Sequence, residues 1–325
     1  MRLFIAAAFA WLCAGSIATP VQAQSPQSYP TKPVTLLVGF GAGGGTDLLA
    51  RHYAKRLADK LGQSFVVENR QGASGVLAAQ TLKAQPADGY TLMVATSGAM
   101  AIPQNFQQLP YDPLTDFIPV AQIVANDLVM IVNNKSTARD LNGFVQLVNS
   151  EKGRYSYGVS GHGSITHVAG ERLKRELNID MQVVPYRGDS MAFADTLGGS
   201  VPASFVAMPS VAEAVKAGQV RALFVTGSKR LAPFPDVPTL AELGHPDFVM
   251  SSWIAVFAPA GTPAPIVAKL SAAIGKVMSD PSLVQKLEST GSRVEYRDQD
   301  NFGKFFRQDV DSFARIIREA KIAVK

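Results

Sequence analysis

Two short stretches of this 325-residue sequence combine glycines, hydroxyls and helix starts in a way that suits anion binding. The first is Val38-Gly39-Phe40-Gly41-Ala42-Gly43-Gly44-Gly45-Thr46-Asp47. It follows an apolar β-type run, Val34 to Val38, and opens a helical pattern with Leu49, Tyr53, Leu57 and Leu61 on one face. Glycines let a ligand reach the bare backbone. A helix N-terminus offers unpaired N–H groups and about half a positive charge. Such a turn binds anions, carboxylates included. Two other readings share the segment. Gly39, Gly41 and Gly44 satisfy G-x-G-x-x-G, and Glu68 stands 24 residues after Gly44, where a dinucleotide ribose would be held. A tight turn with no ligand would use the same glycines. A Walker phosphate loop fails, because no Lys follows them.

The second stretch is Tyr157-Gly158-Val159-Ser160-Gly161-His162-Gly163-Ser164-Ile165-Thr166-His167. It too follows a strand pattern and opens a helix. Ser160, Ser164 and Thr166 bring hydroxyls that can donate to an acceptor ligand. A serine hydrolase using Ser160 or Ser164 is the alternative. The elbow G-x-S-x-G is not met, because His162 stands where its last glycine belongs. His167 reads as a packing or first-turn residue of the helix. Two glycine-rich turns, one in each expected lobe, point to a cleft that holds an anionic ligand from both sides. Arg70 and Arg187 follow strands and can reach such a cleft.

The elements that position these turns alternate strand and helix. Strands are expected at Val34–Val38, Phe65–Val67 and Thr91–Ala95, with helices at Thr46–Leu61 (Thr46 as N-cap) and Gly75–Ala84 between them. That is the βαβ rhythm of a parallel sheet. After an irregular Pro-rich stretch, Phe106 to Pro119, a strand at Leu128–Val132 restarts the rhythm, which runs to about residue 230. Pro233, Pro235 and Pro238 then form a stiff connector. One more strand, Ser252–Ala258, precedes three helices, Pro265–Met278, Pro281–Ser289 and Phe302–Ala323. The expected domains are one lobe from residues 24–125 and 233–325 and a second from 126–232. The helical tail is expected to pack back on the first.

Composition narrows the function further. Apolar residues make up 47% and charged residues 18%, as in a globular chain. One cysteine, Cys13, excludes a disulfide framework and any multi-cysteine metal site. Four histidines, no two at i, i+4 on one helix face, speak against a metalloenzyme. The net charge of +5 is spread along the chain, without the basic stripe of a nucleic-acid binder. Arg2, the apolar run Leu3 to Ala14 and the small-residue pattern Val21-Gln22-Ala23 read as a secretory signal cut after Ala23. A run of 12 is too short to span a bilayer. In a Gram-negative host the mature chain belongs in the periplasm, a compartment poor in nucleotide cofactors, so none is expected.

Nearly the whole mature chain, about Tyr29 to Lys321, resembles the substrate-binding proteins of tripartite tricarboxylate transporters, the Bug family. The matching stretches include Gly43-Gly44-Gly45-Thr46-Asp47, Glu68-Asn69-Arg70, Asp88-Gly89-Tyr90-Thr91-Leu92 and Leu109-Pro110-Tyr111-Asp112-Pro113. Val184-Pro185-Tyr186-Arg187-Gly188, Pro235-Asp236-Val237-Pro238-Thr239 and Ala258-Pro259-Ala260-Gly261-Thr262-Pro263 follow in order. The resemblance implies an α/β, two-lobed periplasmic-binding-protein (Venus-flytrap) fold, each lobe a mixed sheet flanked by helices. It implies a small carboxylate ligand, delivered to membrane transporter subunits. The family's binding loops map onto Phe40 to Asp47, Thr96-Ser97 and Ser160 to Thr166. The candidate ligand-binding residues are therefore Phe40, Ala42, Gly43, Gly44, Thr46, Asp47, Ser97, Ser160, Gly161, Ser164, Thr166 and Arg187. Members often carry an Asp before the Pro-Ser pair that is Pro209-Ser210 here. Its absence from Phe205-Val206-Ala207-Met208 argues against an amino-acid ligand. A monomer without metal or catalytic residues is expected. A sensor for a membrane signalling partner is the main alternative to a transport receptor. An exported hydrolase is less favoured, and a nicotinamide-dependent oxidoreductase comes last.

Overall fold

The computed structural model describes residues 28–319 and residue 322. The expected signal segment lies outside the described residues. The first half of the fold runs β1 (Val34–Val38), α1 (Gly45–Leu61), β2 (Phe65–Asn69), α2 (Val76–Lys83), β3 (Thr91–Thr96) and the short α3 (Ser97–Met100). Then come β4 (Phe117–Asn133), α4 (Leu141–Ser150), β5 (Ser156–Val159), α5 (Ile165–Glu176), β6 (Gln182–Pro185) and α6 (Asp189–Gly198). The order closes with β7 (Ala203–Ala207), α7 (Ala212–Lys216), β8 (Val220–Val225), β9 (Ser251–Pro259), α8 (Ala264–Met278), α9 (Pro281–Ser289), β10 (Ser292–Arg297) and α10 (Gln299–Glu319).

One strand organises the two lobes. The first part of β4 pairs antiparallel with β9, ending at Asp127 opposite Ser251. β9 leads on to β3, β1 and β2, and β10 joins the other edge of β4. From Leu128 onward, β4 instead pairs with β7 and β8, and β7 leads to β5 and β6. The sheet therefore changes partners between Asp127 and Leu128. The chain returns through Thr226 to Met250, whose two ends meet: the Met250 amide donates to the Thr226 carbonyl.

Alternation along the strands separates the cores. Leu36 and Val38 pack against Leu49, Tyr53 and Leu57 of α1 and Leu270 and Ile274 of α8. Val129 and Ile131 pack against Val206, Val225, Phe234 and Val237. The opposite faces, with Leu37, Met93, Leu128, Met130 and Phe205, form one apolar layer that continues across both lobes. The period of two along a strand makes this division.

Several expectations need correction. β4 has 17 residues, and the apolar run at Leu128–Val132 marks only its second half. Pro119, Gln122, Asn126 and Asp127 hide the first half, yet β9 and β10 flank it on both edges. β10 carries no apolar run to mark it: Ser-Arg-Val-Glu-Tyr-Arg pairs on one side only and stays half-exposed. α10 packs on β4 and β9, as expected of the tail, and also reaches α5. Its stripe Phe302, Phe306, Val310, Phe313 and Ile317 is buried, with Phe302 and Phe306 set edge-on to Trp253. At its far end, the Glu319 carbonyl accepts from Arg175 of α5, in the second lobe. Twenty-one residues make a helix of about 30 Å, long enough to lie along both lobes.

Candidate functional site

The first glycine-rich turn is held by one buried carboxylate. Asp47 is 1% exposed. Its Oδ2 accepts from the Gly43 amide and from Arg51 Nε, both at 2.9 Å, and its Oδ1 accepts from Asn69 Nδ2 at 2.9 Å. Asn69 Nδ2 also donates to the Phe40 carbonyl at 2.9 Å. Burial pushes the Asp47 carboxyl up, but the bonds from Arg51, Gly43 and Asn69 outweigh it and hold it below its ordinary value. The turn is thereby laced to the end of β2. Gly43 has φ +80°, a conformation that favours glycine.

α1 begins at Gly45, with Gly44 and not Thr46 as its N-cap. A glycine cap has no side chain to accept a bond, so the helix N-terminus is uncapped. Leu48 makes the first helical bond, to the Gly44 carbonyl. The amides of Gly45, Thr46 and Asp47 precede it, and they are the groups a bound anion can satisfy.

The second turn differs in kind. Ser164 caps α5 itself, accepting from the His167 amide at 3.2 Å. Its hydroxyl donates to the Gly161 carbonyl at 2.7 Å and lies 2.9 Å from Thr166 Oγ1. Thr166 Oγ1 in turn bonds the Ser160 hydroxyl at 2.8 Å and accepts from the Ser160 amide at 2.9 Å. His167 Nδ1 accepts from the Gly163 amide at 3.0 Å, and burial and His162 push its pKa down to about 4. The His167 ring is thus a neutral brace of the turn, bonded to the Gly163 backbone and not to either serine hydroxyl.

A cavity of about 580 Å³ lies between the two turns. Phe40, Ala42, Gly44, Thr46, Ser160, Ser164, Thr166 and Arg187 line it. A second hollow of similar volume adjoins it and shares Phe40, Gly41, Gln71, Ser74, Ser160 and Arg187; Gly161 lines this second hollow. Gly43, Asp47 and Ser97 line neither. Asp47 holds the loop, and Ser97 is buried with its hydroxyl 3.4 Å from Ser252 Oγ. The neighbours of Ser97, Thr96 and Gly98, reach the cavity instead. Arg187 is exposed and forms no ion pair among the described residues, whereas Arg70 is paired with Glu68. The lobes stand close here: a Cβ built on Gly45 would lie 3.6 Å from the Ser210 hydroxyl.

Other wall residues carry no local sequence signal. Asp189, Asn126, Ser210, His52 and Lys286 line the cavity from α6, β4, the turn after β7, α1 and α9. Lys286 Nζ lies 2.8 Å from His52 Nε2, and burial with the nearby Lys286 charge lowers the His52 pKa. Ser74 sits between the two hollows, and an added Cβ on Gly161 would come within 2.6 Å of its hydroxyl. Ala73 and Ser74 both have positive φ, +45° and +56°, so the backbone is strained at this edge of the cleft. The flanking Gly72 and Gly75 were the available hint.

Two lobes, a shared long strand and a cleft flanked by two helix-opening turns define a two-lobed solute-binding protein. The family model of the tripartite tricarboxylate transporter family receptors matches residues 49–322, and the chain belongs to that family. Its relatives include protein BugT of Bordetella pertussis, 33% identical over 317 residues, covering 97% of this chain and 96% of that one. Among solved structures, Rpa4515 of R. palustris with adipate is 33% identical with a TM-score of 0.87, covering 91% of this chain and 99% of that one. MatC of Rhodopseudomonas palustris with bound malate is 30% identical with a TM-score of 0.83, covering 89% of this chain and all of that one. The periplasmic binding protein BugD is 28% identical with a TM-score of 0.85, covering 90% of this chain and 99% of that one. The protein is a receptor and not an enzyme, in line with its family and these neighbours.

Proposed function

We propose that this receptor captures a small di-, tri- or aromatic carboxylate in the cleft and delivers it to the membrane subunits of a tripartite transporter. One observation carries the reading: the uncapped N-terminus of α1 opens onto a cavity of about 580 Å³ that is also lined by Arg187, which has no ion pair among the described residues. That volume suits a small acid. Charge-assisted bonds to a desolvated carboxylate are worth about 1.5–3 kcal/mol each, so three or four outweigh the ligand's lost freedom. The acids bound in the Rpa4515 and MatC structures support the same class. Closure follows only if the ligand binds the closed arrangement better.

The remaining parts of the reading fit this role. The mature protein acts in the periplasm as a monomer after cleavage near Ala23. No helix among the described residues is long and apolar enough to cross a membrane. We assign residues 24–125 and 233–325 to the first lobe and 126–232 to the second. The change of strand partners after Asp127 supports the first boundary.

A thermal-shift panel of mono-, di- and tricarboxylates, aromatic acids and dinucleotides tests the proposal. At a hundred times Kd, a ligand of the folded state adds about 2.7 kcal/mol of stability. The expected result is a raised midpoint with one class of acid. No shift with any acid refutes the proposal.

A further inference from the structure

The cavity wall is not uniformly positive. Asp189, the first residue of α6, lines it beside Arg187 and Gly188. Its Oδ2 accepts from the Ala207 amide and the Ser210 hydroxyl, both at 3.2 Å. Its Oδ1 is buried and has no hydrogen-bond partner among the described residues. Asn126, also on the wall and buried, leaves its Oδ1 equally without a partner. A buried acceptor without a donor is costly. Burial pushes the Asp189 carboxyl up to about 6, against the bonds from Ala207 and Ser210 and the nearby Ser160 hydroxyl. The residue opposite is part of the anion pole: Gly45 of α1 faces Ser210, whose hydroxyl donates to Asp189. A cavity with a cationic and an anionic pole repels one end of a plain diacid and holds both ends of an acid that also donates.

We infer that Asp189 selects the ligand: its free Oδ1 takes a hydroxyl or ammonium donor from an acid whose carboxylate lies at the α1 N-terminus and Arg187. This rests on the carboxylate-receptor reading and narrows it to hydroxy or amino acids. It also bears on the expectation that lack of an acidic residue on β7 argues against an ammonium. α6 brings a carboxyl to that place from another element, bonded to the backbone of Ala207 itself.

Titration calorimetry on matched acids tests the assignment. The sets are succinate, malate and aspartate; glutarate, 2-hydroxyglutarate and glutamate; adipate, 2-hydroxyadipate and 2-aminoadipate; and tricarballylate with citrate. The wild type is expected to bind a donor-bearing member about tenfold or more tightly than its plain partner, since a site built for a donor rejects the analogue without one. A preference for hydroxy acids over amino acids, or the reverse, names which donor it is. Asp189→Asn keeps an oxygen for Ala207 and Ser210 and turns the other into a donor. That variant is expected to lose the preference or favour the plain acid. Arg187→Gln is expected to weaken all acids of a set alike and keep the preference. Equal binding of plain and donor-bearing acids by the wild type overturns the assignment and leaves the receptor reading standing. An unchanged preference in Asp189→Asn overturns it too. If no acid binds the wild type, the receptor reading falls and this inference with it.

Discussion

Asp47→Asn probes how the first turn is held. The network around Asp47 is closed: Gly43, Arg51 and Asn69 all donate to it, and Asn69 cannot turn its amide over. Its Nδ2 already serves the Phe40 carbonyl, and its Oδ1 accepts from Arg51 Nη2 at 3.1 Å. The new amide nitrogen must therefore face a donor, either Asn69 Nδ2 or the pair from Gly43 and Arg51. One bond to a charged acceptor is lost, at about 1.5–3 kcal/mol. The ion pair itself adds little, because Arg51 is about half exposed. With an unfolding entropy of roughly 2.1 cal/mol/K per residue over about 300 residues, each kcal/mol moves the midpoint by about 1.6 °C. The expected fall is about 2–5 °C by scanning calorimetry. Loosening the tie to Gly43 should also weaken acid binding by about tenfold, the equivalent of about 1.4 kcal/mol of lost preorganisation. In the wild type the contribution of Asp47 is present above the ordinary carboxyl value of 3.8 and disappears as pH falls through its lowered folded value. A midpoint within 1 °C of wild type at pH 7 would show that the turn is held without this carboxylate.

Other positions extend the test. Gly44→Leu should abolish acid binding while the protein still folds: Gly44 has φ −72°, which any residue adopts, and its Cβ would meet only the Gly41 carbonyl, at 3.3 Å; retained affinity in a titration would remove the loop from the site. Gly170→Ala should cost about 1–3 kcal/mol or more by denaturant unfolding, because the new methyl would lie 2.3–2.6 Å from the buried Tyr157 ring; an unchanged midpoint would mean that the ring has room to move. Burial pushes Asp309 up to about 6 against the bond from Trp253 Nε1, at 2.7 Å, so its penalty is full above pH 6 and relieved as pH falls toward 3.8. Asp309→Asn should therefore stabilise most at pH 7.5, relative to wild type, and progressively less toward pH 4; a difference that does not change with pH would refute this.

Local chemistry was legible in the residues themselves. β1 and α9 have the bounds that their apolar runs and flanking breakers indicate. The Gly62 stop of α1 is in the left-handed conformation its position required. These features depend on neighbours within about four residues, and the two glycine-rich turns belong with them. Both open helices and both flank the cavity, because a strand, a tight turn and a helix start are one local event.

What crosses the fold was decided only by tertiary structure. The first half of β4 is a strand because β9 and β10 enclose it, not because its own residues insist on it. The end of α10 meets α5 because a long helix carries its last turn that far. Within the Gly-Thr-Asp signature, the fold gave Asp47 to the loop's interior and left the helix amides to the cleft. Asp189, Asn126, His52 and Lys286 have no spacing that announces a site. They meet on one wall because residues more than 200 positions apart share a surface once the sheet has formed, and no pattern along the chain encodes that distance.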